Sequence, residues 1–184
     1  MSDPGDLSAF LAQAWQHLRR GAADAKSPAR YPVFATVSPD GVPEARTVAL
    51  RRADAAQAVL EVQTDIVTPK IAALRATPIA AFHVWLPRAN LQIRVTTEVE
   101  IATGDAVADA WAKVPPASRV SYGTEPHPGA AIPSVHAYEK PPNPDRFAVL
   151  TCRATHIDLV HLDTVHRRAG YVRADGWAGQ WLAP

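Results

Sequence analysis

The sequence lacks several features that would point to an extracellular or membrane setting. Its only cysteine, Cys152, cannot form an internal disulfide, and no histidines and cysteines are spaced like zinc ligands. The N-terminal residues do not show the signal-peptide pattern of a basic segment followed by an apolar one, and no run of about 18 apolar residues occurs. We therefore predict neither secretion nor membrane spanning. We therefore expect a soluble cytoplasmic protein without a metal site, in which Cys152 is a core residue.

An excess of one sign of charge is also missing, and so are the common catalytic sequence patterns. The 19 basic and 18 acidic residues nearly cancel, so no bulk field would attract nucleic acid or an anionic membrane. The seven histidines lack motif spacing, which argues against nucleophilic catalysis, and carboxylates do not pair as in glycosidases. Neither a P-loop nor a GxGxxG segment is present. On this basis we assign no catalytic residue.

Proline, in contrast, is abundant. Several of the seventeen prolines fall between apolar runs, which is typical of a strand-rich fold. A length of 184 residues with 47% hydrophobic side chains predicts a single domain over 1–184. Apolar residues at helical spacing predict an amphipathic N-terminal helix within 1–21. The segment 118–145 is rich in Pro and Gly, and we expect a functional or mobile loop there.

Short strands arranged as hairpins dominate the rest of the chain. They are predicted at 31–37, 45–51, 58–64, 79–85, 91–101, 147–162 and 169–173, with short helices at 68–75 and 105–114. Alternation in the second strand places Arg46, Val48 and Leu50 on one face and Thr47, Ala49 and Arg51 on the other. This mainly β pattern with peripheral helices favours a closed antiparallel barrel, with a β-sandwich as the alternative.

The segment Thr64-Asp-Ile-Val-Thr-Pro-Lys70 is the sharpest chemical feature. A strand end runs through a turn into a helix with Thr68 as N-cap and Pro69 at the first helical position. A helix N-terminus beside Thr64 and Lys70 can hold a phosphate, which Arg46 or Arg51 could clamp. The alternative is a plain N-cap with a solvent-facing lysine.

Other polar residues have two interpretations each. Gln92 and Arg94 lie on the polar face of an apolar strand and either donate to a planar cofactor or face solvent. The cluster His166-Arg-Arg168 is typical of solvated surface, and Trp177 and Trp181 are expected to pack against the core or a partner.

Four motifs in chain order resemble those of the pyridoxamine 5′-phosphate oxidase-like flavoproteins. They are Arg46-Thr-Val-Ala-Leu-Arg51, Thr64-Asp-Ile-Val-Thr-Pro-Lys70, Trp85 followed by Gln92-Ile-Arg-Val95, and the ending His166-Arg-Arg168, Trp177 and Leu182-Ala-Pro184. The resemblance implies an antiparallel split β-barrel and a homodimer with FMN at its interface. It also implies cofactor contacts from Arg46, Thr47, Val48, Ala49, Arg51, Thr64, Thr68, Pro69, Lys70, Gln92 and Arg168, and substrate contacts from Ser118 and His166.

The resemblance implies an FMN-dependent oxidoreductase acting on an undefined small molecule. The true vitamin B6 phosphate oxidase is one alternative, but of its phosphate-binding residues only Ser118 remains. Ala110, Val114 and Thr164 replace the others. The second alternative is a module that binds a flavin, deazaflavin or haem without turnover. In the haem case His83, His136 or His161 would be the axial ligand.

Overall fold

The computed structural model describes residues 5–184, and its first element is a capped amphipathic helix. Helix α1 spans Leu7–Ala23, and the Asp6 carboxylate accepts hydrogen bonds from the backbone N–H groups of Ser8 and Ala9. Its buried face includes Phe10, Trp15 and Leu18. This helix ends two residues beyond the predicted segment 1–21, of which residues 1–4 lie outside the described part of the chain.

The described residues form an antiparallel sheet of nine strands. They are β1 Val33–Val37, β2 Pro43–Thr47, β3 Leu50–Asp54, β4 Val59–Asp65, β5 Ile79–Leu86, β6 Leu91–Thr103, β7 Phe147–His161, β8 Arg167–Val172 and β9 Gln180–Leu182. The order is β2-β1-β5-β6-β7-β4-β3, and β8 joins β7 and β9. The mainly β antiparallel architecture predicted from the hairpins is therefore confirmed.

Strand β7 is where the sheet divides. Along one edge it pairs with β6 throughout, whereas its other edge pairs with β4 in the first half and β8 in the second. The register against β6 shifts between Thr96 and Thr97, so Thr155 is an extra residue at the change of partner. The Thr155 hydroxyl donates to the Thr96 carbonyl at 3.2 Å. The bulge and the change of neighbour give the barrel its split form.

The predicted continuous strand 45–51 is wrong. Residues up to Thr47 pair with β1, while Leu50 begins β3 and pairs with β4, so the chain leaves one sheet edge and joins another at Val48 and Ala49. Burial through this segment still alternates as predicted, with Val48 and Leu50 buried, Thr47 exposed and Ala49 half-buried. The ladder of β3 and β4 shifts again between Leu50 and Arg52, which leaves Arg51 at an irregular position.

Short helices connect the strands. Helix α2 spans Pro69–Ala76, α3 spans Ala108–Ala112 and α4 spans Pro116–Arg119. The helix predicted at 105–114 is split, because Gly104–Val107 is a 3-10 turn. Within 118–145 the described backbone forms one isolated β-bridge, between Glu125 and Glu139.

The core fills the space between the sheet and α1. Phe34 and Phe82 meet edge to face there with ring centroids 5.0 Å apart. Cys152 is fully buried in the same cluster, as predicted. A second cluster under α3 contains Trp111, Tyr122 and Phe147. Among the described residues, no helix is long and apolar enough to cross a membrane.

Candidate functional site

The turn between β4 and α2 gathers polar side chains at one rim of the barrel. Lys70 Nζ donates to Thr64 Oγ1 at 3.0 Å, and the hydroxyls of Thr64 and Thr68 are 3.4 Å apart. Lys70 is half-buried rather than solvent-facing, and Thr64 is buried. Thr68 occupies the N-cap position, but its side chain makes no capping hydrogen bond to the helix. Its hydroxyl instead donates to the Asp65 carbonyl at 2.8 Å. The helix begins with Pro69, as predicted.

Arg46 reaches the same rim from β2. Its Nη1 donates to Thr36 Oγ1 at 2.7 Å and to the Phe34 carbonyl at 3.3 Å, which turns the side chain toward the inner face of the sheet. Its Nη2 forms an ion pair with Glu44 at 2.6 Å. We call Arg46, Thr64, Thr68 and Lys70 the anion cradle.

Two cations of the anion cradle interact electrostatically. The pKa of Lys70 is lowered to about 8, first by burial and then by the charge of Arg46, while Asp65 acts in the opposite direction. Keeping a half-buried lysine charged beside an arginine costs free energy unless an anion lies between them. The arrangement is therefore suited to a dianionic group such as a phosphate monoester.

Arg51 opens onto a separate cavity of about 670 Å³ beyond β3. Its walls combine the cations Arg30, Arg51, Arg52 and Lys113, the acids Glu61 and Asp109, and Gln63, Ala22, Ala106, Ala110, Val114 and Pro115. Arg51 hydrogen-bonds the Tyr122 side chain and opposes the rise in the pKa of Tyr122 that burial causes. The Arg51 Nε atom is buried and has no hydrogen-bond partner. The cavity is large enough for a small-molecule ligand, and cations outnumber carboxylates in its walls.

Gln92 and Arg168 lie elsewhere, on the outer face of the sheet. Gln92 Oε1 is 3.2 Å from His83 Nε2 across β5 and β6. Arg168 donates to Asp158 Oδ2 through Nε at 3.1 Å and Nη2 at 2.9 Å, and Arg94 pairs with the same oxygen at 2.9 Å. Arg94, predicted either to meet a cofactor or to face solvent, is therefore an ion-pair partner on this face.

A shallow groove crosses that outer face. Its volume is about 440 Å³, and its lining includes Val33, Ala35, Ala81, His83, Arg94, Thr96, His156 and Asp158. The neighbouring side chains of Tyr31, Ile79 and Trp85 are exposed although they are apolar. An exposed apolar face of this kind marks a surface suited to association.

The other predicted residues are scattered. Thr47 is exposed, Ala49 is half-buried, and Val48 is buried with its N–H donated to the Pro32 carbonyl at 3.1 Å. Ser118 lies in the short helix α4, and His166 is exposed in the turn before β8.

The three candidate haem ligands do not share a setting. His83 meets Gln92, His161 Nδ1 is 3.3 Å from Arg167, and His136 is exposed in the irregular segment. Among residues 5–184, no three His, Cys, Asp or Glu side chains are grouped as a metal site requires.

Sequence reasoning missed Asp65, which is 3% exposed and binds groups from distant segments. Its Oδ2 accepts from the Gly123 N–H at 2.9 Å, and its Oδ1 pairs with Arg146 at 2.9 Å. The available signal was an acidic residue at the end of a largely buried strand, directly before the threonine turn. A buried aspartate needs hydrogen-bond donors. The sequence gives no indication of which donors those are.

Comparisons with known proteins identify a family for this chain. A sequence model of the pyridoxamine 5′-phosphate oxidase FMN-binding domain matches residues 12–103. No curated protein matches the sequence significantly.

Solved structures share the whole fold. An FMN-binding protein related to pyridoxamine 5′-phosphate oxidase from Nostoc punctiforme PCC 73102 is 24% identical, with a TM-score of 0.77, over 97% of this chain and 100% of its own. PhzG from Burkholderia lata 383, in complex with tetrahydrophenazine-1-carboxylic acid, is 18% identical with a TM-score of 0.72, over 99% of this chain and 95% of its own. A relative of general stress protein 26 from Clostridium acetobutylicum is 10% identical with a TM-score of 0.61, over 92% and 98%. At these identities the structures establish the fold alone.

Proposed function

Because the chain belongs to the pyridoxamine 5′-phosphate oxidase FMN-binding domain family, we propose that it is an FMN-dependent oxidoreductase whose cofactor phosphate occupies the anion cradle. The observation that carries this proposal is that Thr64, Thr68 and Lys70 meet in one turn, where the charge of Arg46 also lowers the pKa of Lys70. A flavin phosphate supplies up to two negative charges and three acceptor oxygens, which match two cations and the hydroxyls of Thr64 and Thr68.

The remaining cofactor contacts follow from the path of the chain. Residues 46–51 run from the anion cradle to the cavity at Arg51, so backbone groups of Thr47, Val48 and Ala49 lie between the two. We assign the isoalloxazine ring to this stretch. The bound flavin would supply the electron transfer, while the protein binds and orients both molecules.

The substrate is assigned to the cavity at Arg51. Four cations against two carboxylates in its walls favour a small anion. PhzG, which shares the fold, was solved with a carboxylic acid. The phosphate-binding residues of the vitamin B6 oxidase are replaced at Ala110 and Val114, so a carboxylate is favoured over the B6 phosphate.

The functional unit is a homodimer formed through the outer sheet face, and we expect it in the cytoplasm. In one protomer Gln92 and Arg168 are on this face, whereas the anion cradle is at the inner rim. Two copies joined there would bring these groups of one protomer toward the cofactor of the other. Each copy contributes residues 1–184 as one domain.

The direct test is an absorption spectrum of the purified protein after incubation with FMN and removal of unbound ligand. One flavin per chain, with its paired visible bands, supports the proposal. A single sharp Soret band after incubation with haem, together with no retained FMN, would instead support the haem-binding alternative.

FMN binding should weaken as the pH rises above about 8. Lys70 has a pKa of about 8 without ligand, and a bound phosphate raises that pKa because it stabilises the charged lysine. Binding above this pH therefore takes up a proton, and the Kd rises by up to about tenfold per pH unit. Quenching of FMN fluorescence across this pH range measures the effect.

Lys70→Arg is the matched control because an arginine stays charged throughout this range. Its affinity profile should lack the rise that begins near pH 8 in the wild type. A wild-type Kd that does not change with pH would show that Lys70 does not bind the phosphate.

Glu44 competes with the ligand for Arg46. Their ion pair at 2.6 Å must open or be shared when a phosphate arrives, since both anions need the same guanidinium. Glu44→Gln should therefore strengthen FMN binding by about two- to fivefold, the range expected of a partly exposed ion pair. Isothermal titration calorimetry on both proteins measures this difference, and weaker binding by the variant would exclude competition.

A further inference from the structure

Asp65 occupies a position between the anion cradle and the irregular segment that follows α4. It is adjacent to Thr64, and its backbone carbonyl accepts the Thr68 hydroxyl at 2.8 Å. Its side chain accepts from the Val67 N–H at 3.0 Å, which closes the turn leading into α2. One residue therefore fixes the turn that presents two hydroxyls and the lysine of the anion cradle.

The same carboxylate holds both ends of the segment 123–146. At one end Oδ2 accepts the buried Gly123 N–H at 2.9 Å, and at the other Oδ1 pairs with Arg146 at 2.9 Å. The Arg146 carbonyl also accepts a hydrogen bond from the Ile66 N–H at 2.8 Å, and the Arg146 side chain forms an ion pair with Glu125 at 2.6 Å. The segment is thus attached to the β4–α2 turn through a carboxylate that is 2% exposed.

The middle of the segment also approaches the anion cradle. A side-chain carbon placed at Gly129 would lie 3.9 Å from Cγ of Pro69, the first residue of α2. Asp65 moreover acts electrostatically on Lys70. Contacts and charge both connect this segment to the site where we place the cofactor phosphate.

We propose that Asp65 is a positioning residue that couples the 123–146 segment to the anion cradle, so that binding of the cofactor phosphate and ordering of the segment favour each other. This inference rests on the proposed function. It requires no new contact between the segment and the phosphate, because the turn held by Asp65 belongs to both. Coupling is reciprocal, so each event must strengthen the other by the same factor.

The test compares hydrogen exchange of amides 123–139 in the full protein, with and without FMN. In the wild type FMN should slow this exchange. Asp65→Asn keeps an oxygen for the Val67 N–H, but it removes the charge for Arg146 and one acceptor. The segment should then exchange faster, FMN should no longer slow it, and the Kd for FMN should rise at least about fivefold.

Two further variants separate positioning from general loss of structure. Arg146→Gln changes the other side of the ion pair and should reproduce both effects, whereas Glu125→Gln changes only an exposed partner and should retain the wild-type response. Exchange in α1 serves as an internal reference and should stay unchanged in each variant. Asp65→Asn or Arg146→Gln with wild-type exchange and affinity would overturn the coupling.

Inorganic phosphate distinguishes this inference from the proposed function. If FMN does not bind but phosphate slows exchange of the segment in the wild type and not in Asp65→Asn, the coupling stands and the flavin assignment fails. If FMN binds without any effect on the segment, the flavin assignment stands and the coupling fails. If neither ligand affects the segment, the coupling is wrong in either case.

Discussion

Replacing Arg46 and Lys70 together by alanine should abolish FMN binding while the protein stays folded. Each loses a hydrogen bond between a cation and the phosphate, worth about 1.5 to 3 kcal/mol. Two such losses weaken binding by on the order of 100- to 10,000-fold. Equilibrium titration with FMN, monitored by fluorescence, measures this change.

Two effects on the stability of the double variant without FMN oppose each other. Removing Lys70 relieves the burial of its charge, which together with Arg46 lowers the pKa of this lysine. The variant also loses the hydrogen bonds that Arg46 and Lys70 donate to the buried hydroxyls of Thr36 and Thr64. Thermal unfolding without FMN should therefore remain cooperative with only a small change in Tm, which shows that the loss of binding does not come from unfolding.

Arg19→Ala with Lys26→Ala is the matched control for charge. It removes two cations from exposed positions in and after α1, so the net charge changes equally. Its FMN affinity should match that of the wild type. Equal weakening in both double variants would attribute binding to general attraction and contradict the site, as would undiminished binding when Arg46 and Lys70 are replaced.

Ala81→Glu should convert the proposed homodimer into monomers. Ala81 is exposed in the groove on the outer face, and in the sheet it lies between Ala35 and Thr96. A carboxylate there would be buried against the partner, and two like charges meeting across an interface cost several kcal/mol. The dimer should weaken at least about 100-fold. Sedimentation velocity measures the change in mass.

This variant also tests whether the partner completes the cofactor site. FMN affinity should fall together with dimerisation, since Gln92 and Arg168 are on the same face. Ala56→Glu adds the same charge in the exposed β3–β4 turn and should leave both the dimer and FMN affinity intact. An Ala81→Glu protein that remains dimeric would exclude this face as the interface.

The parts of the fold that depend on local chemistry could be predicted from the sequence. Helix α2 begins at Pro69 after Thr68 because both residues favour a helix start, and the alternation of Leu91 to Thr96 gives the correct faces of β6. Each signal lies within a few residues. The four polar groups of the anion cradle were found for the same reason, since three of them belong to one turn.

What the sequence could not reveal depends on contacts between distant residues. The sequence alternation from Arg46 to Arg51 has no break. The strand is nevertheless interrupted at Val48, because the residues before it pair with β1 and those after it pair with β4. Asp65 meets Gly123 and Arg146 across separations of 58 and 81 residues. No local pattern specifies such partners.

At Val48 and Ala49 the chain passes from one sheet edge to another, so residues 46–51 connect two separately paired groups of strands. Arg46 pairs with Phe34 of β1, whereas Leu50 pairs with Val62 of β4. A rigid ring lying along this stretch would set the spacing of its two ends, because the ligand cannot stretch as the backbone can. Loading the cofactor would then hold the two groups of strands at a fixed spacing along this stretch.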